Sequence, residues 1–217
     1  MQLTELINAL SSEPEQMMRG IIRIFHFMGL AMGLGAATLL DLMILRFFLG
    51  RPLNEQNFQV FVFCADIVDV GLKLLWVTGF GFLIFYWFND PVKLSNEKVW
   101  AKMTIVAILT INGMFIHKTI IPLLAKQIGL SMLEGLSMKY KMIFVTSGIV
   151  SMVSWYTPVA IANLPHLNFQ VPMLQILCVY GIILLCVASV AHLILCGSTL
   201  LGMLRIPLLS NRQSRPY

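Results

Sequence analysis

Five apolar runs, each at least as long as the ~20 residues a helix needs to cross a bilayer, dominate the chain and restrict how it can fold. They cover about 17–49, 58–88, 99–124, 142–163 and 171–203. A chain of 217 residues that is 58% hydrophobic and only 12% charged lacks the polar surface a soluble domain of this size requires. The sequence therefore predicts an all-α integral membrane bundle of five transmembrane helices. It forms a single membrane domain over residues 1–217, and no segment between the runs is long enough to fold separately.

The punctuation between the runs supports these boundaries. The stretch SEPE offers Ser12 as a cap, Pro14 for the first turn and Glu15 to complete a capping box. Gly50-Arg51-Pro52 stops the first run and Asn89-Asp90-Pro91 the second. Pro122 is expected to kink or end the third. The motif SMLE, Ser131 to Glu134, suggests a short interfacial helix over 131–137, and Pro172 opens the fifth run.

Five crossings put the termini on opposite sides. Arg46, Arg51, Lys118, Lys126, Lys139, Lys141, Arg205, Arg212 and Arg215 share one side. Arg19, Arg23, Lys93, Lys98 and Lys102 lie on the other, with more acids beside them. The excess of basic residues places the C-terminus in the cytoplasm and the N-terminus outside. The expected location is a bacterial inner membrane, with the lipid bilayer as the first partner. The N-terminus has no basic n-region and carries Glu5, Glu13 and Glu15, which argues against a secretory signal. The net charge of +5 suits loops at an anionic membrane surface, and no basic–aromatic pattern points to nucleic acid. Cys64, Cys178, Cys186 and Cys196 all fall in apolar segments without a CxxC pair, as small hydrophobes do.

Ionisable groups inside a bilayer each cost on the order of 2.5–3.5 kcal/mol, so they indicate function or pairing. With ~1.5 Å of rise per residue, Asp41, Asp66, Asp69, His117 and His192 fall at overlapping inner levels on four helices. His26 lies alone at an outer level, with His166 in the loop before the fifth run. Asp69 and Lys73, four apart, are also placed to neutralise each other.

Two chemistries remain open. In the first, imidazoles from facing helices hold a b-type haem, and small residues admit the flat porphyrin. Gly29 and Gly33 share the face of His26, and Gly113 lies one turn before His117. The candidate ligands are His26, His117 and His192, with the last two as an inner bis-histidine pair. Such a protein would carry electrons to or from a quinone or a redox partner protein. In the second, Asp41, Asp66, Asp69, His117 and His192 form an ion site for protons or a divalent metal. A further alternative is a non-catalytic subunit of a membrane complex or homo-oligomer, its polar residues binding neighbouring helices. The glycines have an alternative too, since small-xxx-small spacing is common at helix contacts. The serines Ser147, Ser151 and Ser154 read as interhelical hydrogen-bonding groups, because no histidine sits nearby in sequence to activate a nucleophile. Phosphate-binding glycine loops, G-x-S-x-G and HExxH motifs are all missing, so no enzyme class is assigned.

The first run, RIFHFMGLAMGLGAATLLDLMILR (residues 23–46), resembles the opening helix of membrane protoporphyrinogen oxidases of the HemJ type and of copper-resistance CopD-like domains. The third, VWAKMTIVAILTINGMFIH, is similar to the Trp-x-Lys opening of a later helix in the oxidase group. The resemblance covers about half the chain and implies His26 as a haem ligand with Lys102 close to the site. The acidic second helix, FCADIVDVGLK, and the fifth run depart from the oxidase pattern.

Overall fold

The computed structural model describes residues 14–48, 52–130 and 135–210, and over these it is helical with short connections. There are five long helices: α1 (Pro14–Phe48), α2 (Glu55–Asn89), α3 (Glu97–Ala125), α4 (Met138–Ala162) and α5 (Met173–Ser210). Four of them, α1, α3, α4 and α5, are long and apolar enough to cross a membrane, which makes this a multi-pass membrane protein. The remaining long helix, α2, carries Asp66, Asp69 and Lys73 in its first two-thirds. Between its polar first turns and Asn89, the rest of its outward face is largely apolar, with Phe63, Val77, Trp87 and Phe88 all more than 60% exposed.

The helix ends follow the punctuation closely. Helix α1 opens at Pro14, whose missing N–H costs nothing in a first turn. Asn54 caps α2 by accepting from the Asn57 N–H at 2.7 Å, and α2 ends at Asn89 just before Pro91. Asn96 caps α3 by accepting from the Lys98 N–H at 3.2 Å. Ser12 and the SMLE segment lie outside the described residues.

Helix α3 does not end at Pro122 but continues through it to Ala125. The helix widens into a π-turn at Ile116–Ile120, and the chain resumes α-helix over Ile121–Ala125. The Ile121 N–H donates to the Ile116 carbonyl five residues back. Proline lacks an N–H, and its ring crowds the carbonyl four residues earlier, so a wider turn ahead of Pro122 accommodates both. The turn carries His117.

Helices α1 and α2 are antiparallel and pack closely because glycines meet at their seam. A Cβ on Gly71 would come within 2.5 Å of the Gly33 nitrogen, and one on Gly33 within 2.3 Å of the Trp155 ring. Such an approach excludes any larger side chain. Helix α4 supplies Trp155 to this seam and also packs on α3 and α5. Three apolar layers result. Ala101, Ile105, Val153 and Ile176 join α3, α4 and α5. Ala37, Leu72, Leu75, Leu109 and Trp155 form a central layer. Leu53, Phe61, Ile120, Leu124 and Phe144 close the far end. There the Leu53 N–H donates to the Leu130 carbonyl and its own carbonyl accepts from Gly129, tying the first connection to the end of α3.

Candidate functional site

The central layer separates two cavities. The larger, about 330 Å³, lies between α1, α2, α3 and α4 on the side of Arg23 and Lys102. The smaller, about 60 Å³, lies toward Asp41 and His117. Leu109 and Trp155 line both.

His26 is the only histidine on the wall of the larger cavity. Its Nδ1 lies 2.8 Å from the buried Thr78 hydroxyl. That hydroxyl donates its own proton to the Leu74 carbonyl, at 2.6 Å. With its single proton committed, the Thr78 oxygen accepts, so Nδ1 of His26 carries the hydrogen. The neutral ring then leaves Nε2 as its lone-pair nitrogen. Phe82 packs edge-on against the imidazole, with centroids 5.5 Å apart, and fixes the plane of the ring further. A histidine whose tautomer is set by a partner on its other nitrogen has the arrangement of a metal-ligating imidazole.

Trp76, Phe82, Tyr86 and Trp155 give the cavity flat aromatic surfaces, and Leu30, Met103 and Val106 fill between them. The Trp76 indole donates to Thr110 at 2.9 Å, joining α2 to α3. Two cations, Arg23 and Lys102, line the wall without any Asp or Glu beside them. Neither has an ion-pair partner among the described residues. The cavity is thus apolar in its body, positive in net charge, and equipped with one imidazole acceptor. Phe27, 59% exposed, belongs to its wall, so the cavity reaches the bundle surface.

The other residues expected to act fall elsewhere. Gly29 and Gly33 do not line the larger cavity; the space at Gly29 is taken by α2 at Gly71 and Leu74, and that at Gly33 by Trp155. Helix packing accounts for both. Gly113 borders the smaller cavity with His117. His192 bonds Thr146 at 3.2 Å and borders neither cavity, so the inner histidine pair does not share a wall. His166 is exposed in a short turn, Pro165–Leu167.

The five-residue ion site is not assembled. Asp41 and His117 share the smaller cavity, but Asp66 is exposed on α2, and Asp69 pairs with Lys73 at 2.6 Å on that same outer surface. No three His, Cys, Asp or Glu side chains come together as a metal site among the described residues. Of the serines, Ser147 bonds Asn112 and Ser154 bonds Tyr180, both between helices as expected. Thr78, Trp76, Phe82 and Tyr86 are among the site residues the sequence did not single out. Thr78 carried a weak signal, a hydroxyl on the neighbouring helix α2, near the depth of His26 on α1.

Fold and cavity define a helical multi-pass membrane protein with a single-histidine, cation-lined pocket near one end of the bundle. No family model, curated protein or solved structure matches the chain.

Proposed function

We propose that the larger cavity binds a b-type haem, with His26 as an axial ligand, and that the protein carries electrons between this group and a quinone or a redox partner protein. The observation that carries the reading is the Thr78 contact, which leaves the His26 Nε2 lone pair free for a metal. The cations support it independently: Arg23 and Lys102 lack a carboxylate partner among the described residues, and haem brings two propionates to a cavity otherwise walled by aromatic and aliphatic groups. Bound haem would supply one-electron redox chemistry; this chain's part is to ligate, neutralise the carboxylates and exclude water. The proposal uses one histidine of the bundle and leaves His117 and His192 to other roles. The resemblance of the first and third runs to HemJ-type and CopD-like proteins points the same way.

The reading also takes α2 as a fifth crossing, antiparallel to α1, with the N-terminus outside and the C-terminus in the cytoplasm of a bacterial inner membrane. The Asp69–Lys73 pair lessens the cost of its charges. Titration of the detergent-purified protein with hemin tests the proposal. Saturation at one equivalent per chain, lost in His26→Ala and retained in His166→Ala, is the expected result. Equal binding by all three proteins would refute it.

A further inference from the structure

The smaller cavity carries a second inference, independent of haem. Its wall brings together Asp41 from α1 and His117 from the π-turn of α3, with Ser151 from α4 beside them. Neither Asp41 nor His117 has a hydrogen-bond or ion-pair partner among the described residues, although both are partly buried. Trp155, 2% exposed, lines the same cavity, and its indole Nε1 is a buried donor without a partner. Buried polar groups are satisfied by protein or by water. A volume of about 60 Å³, at ~10–15 Å³ per water of this measure, has room for several waters.

The side chains around this space separate its two ends. Towards the larger cavity, Leu72, Leu109 and Trp155 are packed in the central apolar layer. In the other direction, Phe61, Ile120 and Phe144 line the cavity and belong to the apolar layer at the far end. Among the described residues, helix α2 presents only apolar groups to the cavity, among them Phe61 and Val68, and α5 contributes none of its wall. Asp41 and His117 are therefore the two titratable groups facing it among the described residues. A π-turn at such a position is typical of functional sites.

We infer that the smaller cavity is a proton-exchange site: Asp41 and His117 exchange a proton through water held between the central layer and the apolar layer at the far end. In the exchange, the Asp41 O–H bond breaks and its proton passes to a water. That water gives one of its own to the lone-pair nitrogen of His117, leaving carboxylate and imidazolium with the water restored.

Infrared titration of the full chain in lipid nanodiscs tests this. A protonated-carboxyl C=O band should be present, shift promptly on transfer to D2O, and vanish in Asp41→Asn. His117→Gln should displace its pH midpoint by about one unit or more, the size expected for losing a charged neighbour, whereas Ser151→Ala should leave the midpoint in place. Asp41→Glu, which keeps a carboxyl, should move the band without removing it, and reads the assignment if the asparagine variant folds poorly. A band unaffected at position 41, exchange in D2O only over hours, or an unmoved midpoint in His117→Gln would each overturn the proposal.

Discussion

The Nδ1 atom of His26 lies 2.8 Å from the hydroxyl of Thr78, across the seam between α1 and α2. That seam can bring the two so close because Gly33 and Gly71 let the backbones meet, two turns from Thr78 on the α2 side. The tautomer of the histidine is thus a consequence of glycine packing. Thr78→Val keeps the shape and removes the acceptor, so the ring loses its fixed tautomer. Hemin affinity should fall about 10–100-fold, as for other second-layer partners of metal-bound histidine, with the fold intact by circular dichroism. Unchanged affinity would separate Thr78 from the site.

The glycine contact makes a stability prediction of its own. Gly71→Ala forces its Cβ against the Gly33 backbone, which cannot yield as a flexible side chain would. Overpacking of this kind costs about 1–3 kcal/mol, and a thermal melt in detergent should register the loss. Gly113→Ala is the matched comparison, since a Cβ there meets nothing within 4 Å. It should be neutral, or stabilising by up to about 1 kcal/mol through helix propensity.

Lys98 predicts the behaviour of the connection between α4 and α5. The side chain is 4% exposed and donates from Nζ to the Leu164 carbonyl at 2.8 Å. Nearby, Glu97 accepts from the Met173 N–H at 2.6 Å, at the start of α5. Lys98→Met leaves the carbonyl without its partner, at about 1–3 kcal/mol. Amide exchange over residues 164–173 should accelerate, while the α1–α2 seam keeps its protection.

Asn112 and Ser147 bind α3 to α4 in both directions: the amide donates to the Ser147 carbonyl at 3.0 Å and accepts from the Ser147 hydroxyl at 3.1 Å. Hydrogen bonds between membrane helices average about 0.6 kcal/mol and reach about 1.7 kcal/mol. Ser147→Ala should therefore lower unfolding free energy within that range in a mild-detergent denaturation series. Ser189→Ala, which removes only a bond to the Leu185 carbonyl of its own helix, should cost less.

These contacts also mark how far the sequence could be read. Helix positions were legible within a few residues at every end but the last, where α5 runs to Ser210, because apolar runs end at unmistakable stops, as at Asn89-Asp90-Pro91. The depth of polar groups was legible too: Asp41 and His117, expected at one level, share a cavity. Facing was not. Rise along a helix fixes depth alone, and Asp66, five residues before Gly71, is turned about 140° away from the α1 seam. It consequently points outward although its depth matches that of the inner cluster. The glycines beside His26 misled for a related reason: a small residue marks close approach without saying whether a porphyrin or another helix approaches. Gly71, buried against Gly33, decides it for the helix. The π-turn left only Pro122 as a trace.

The most direct measurement of the central claim is an absorption spectrum of the protein purified from haem-replete cells, air-oxidised and then reduced with dithionite. The account predicts a Soret band that shifts and sharp alpha and beta bands on reduction, all lost in His26→Ala. A colourless wild-type protein that also takes up no added hemin would contradict it.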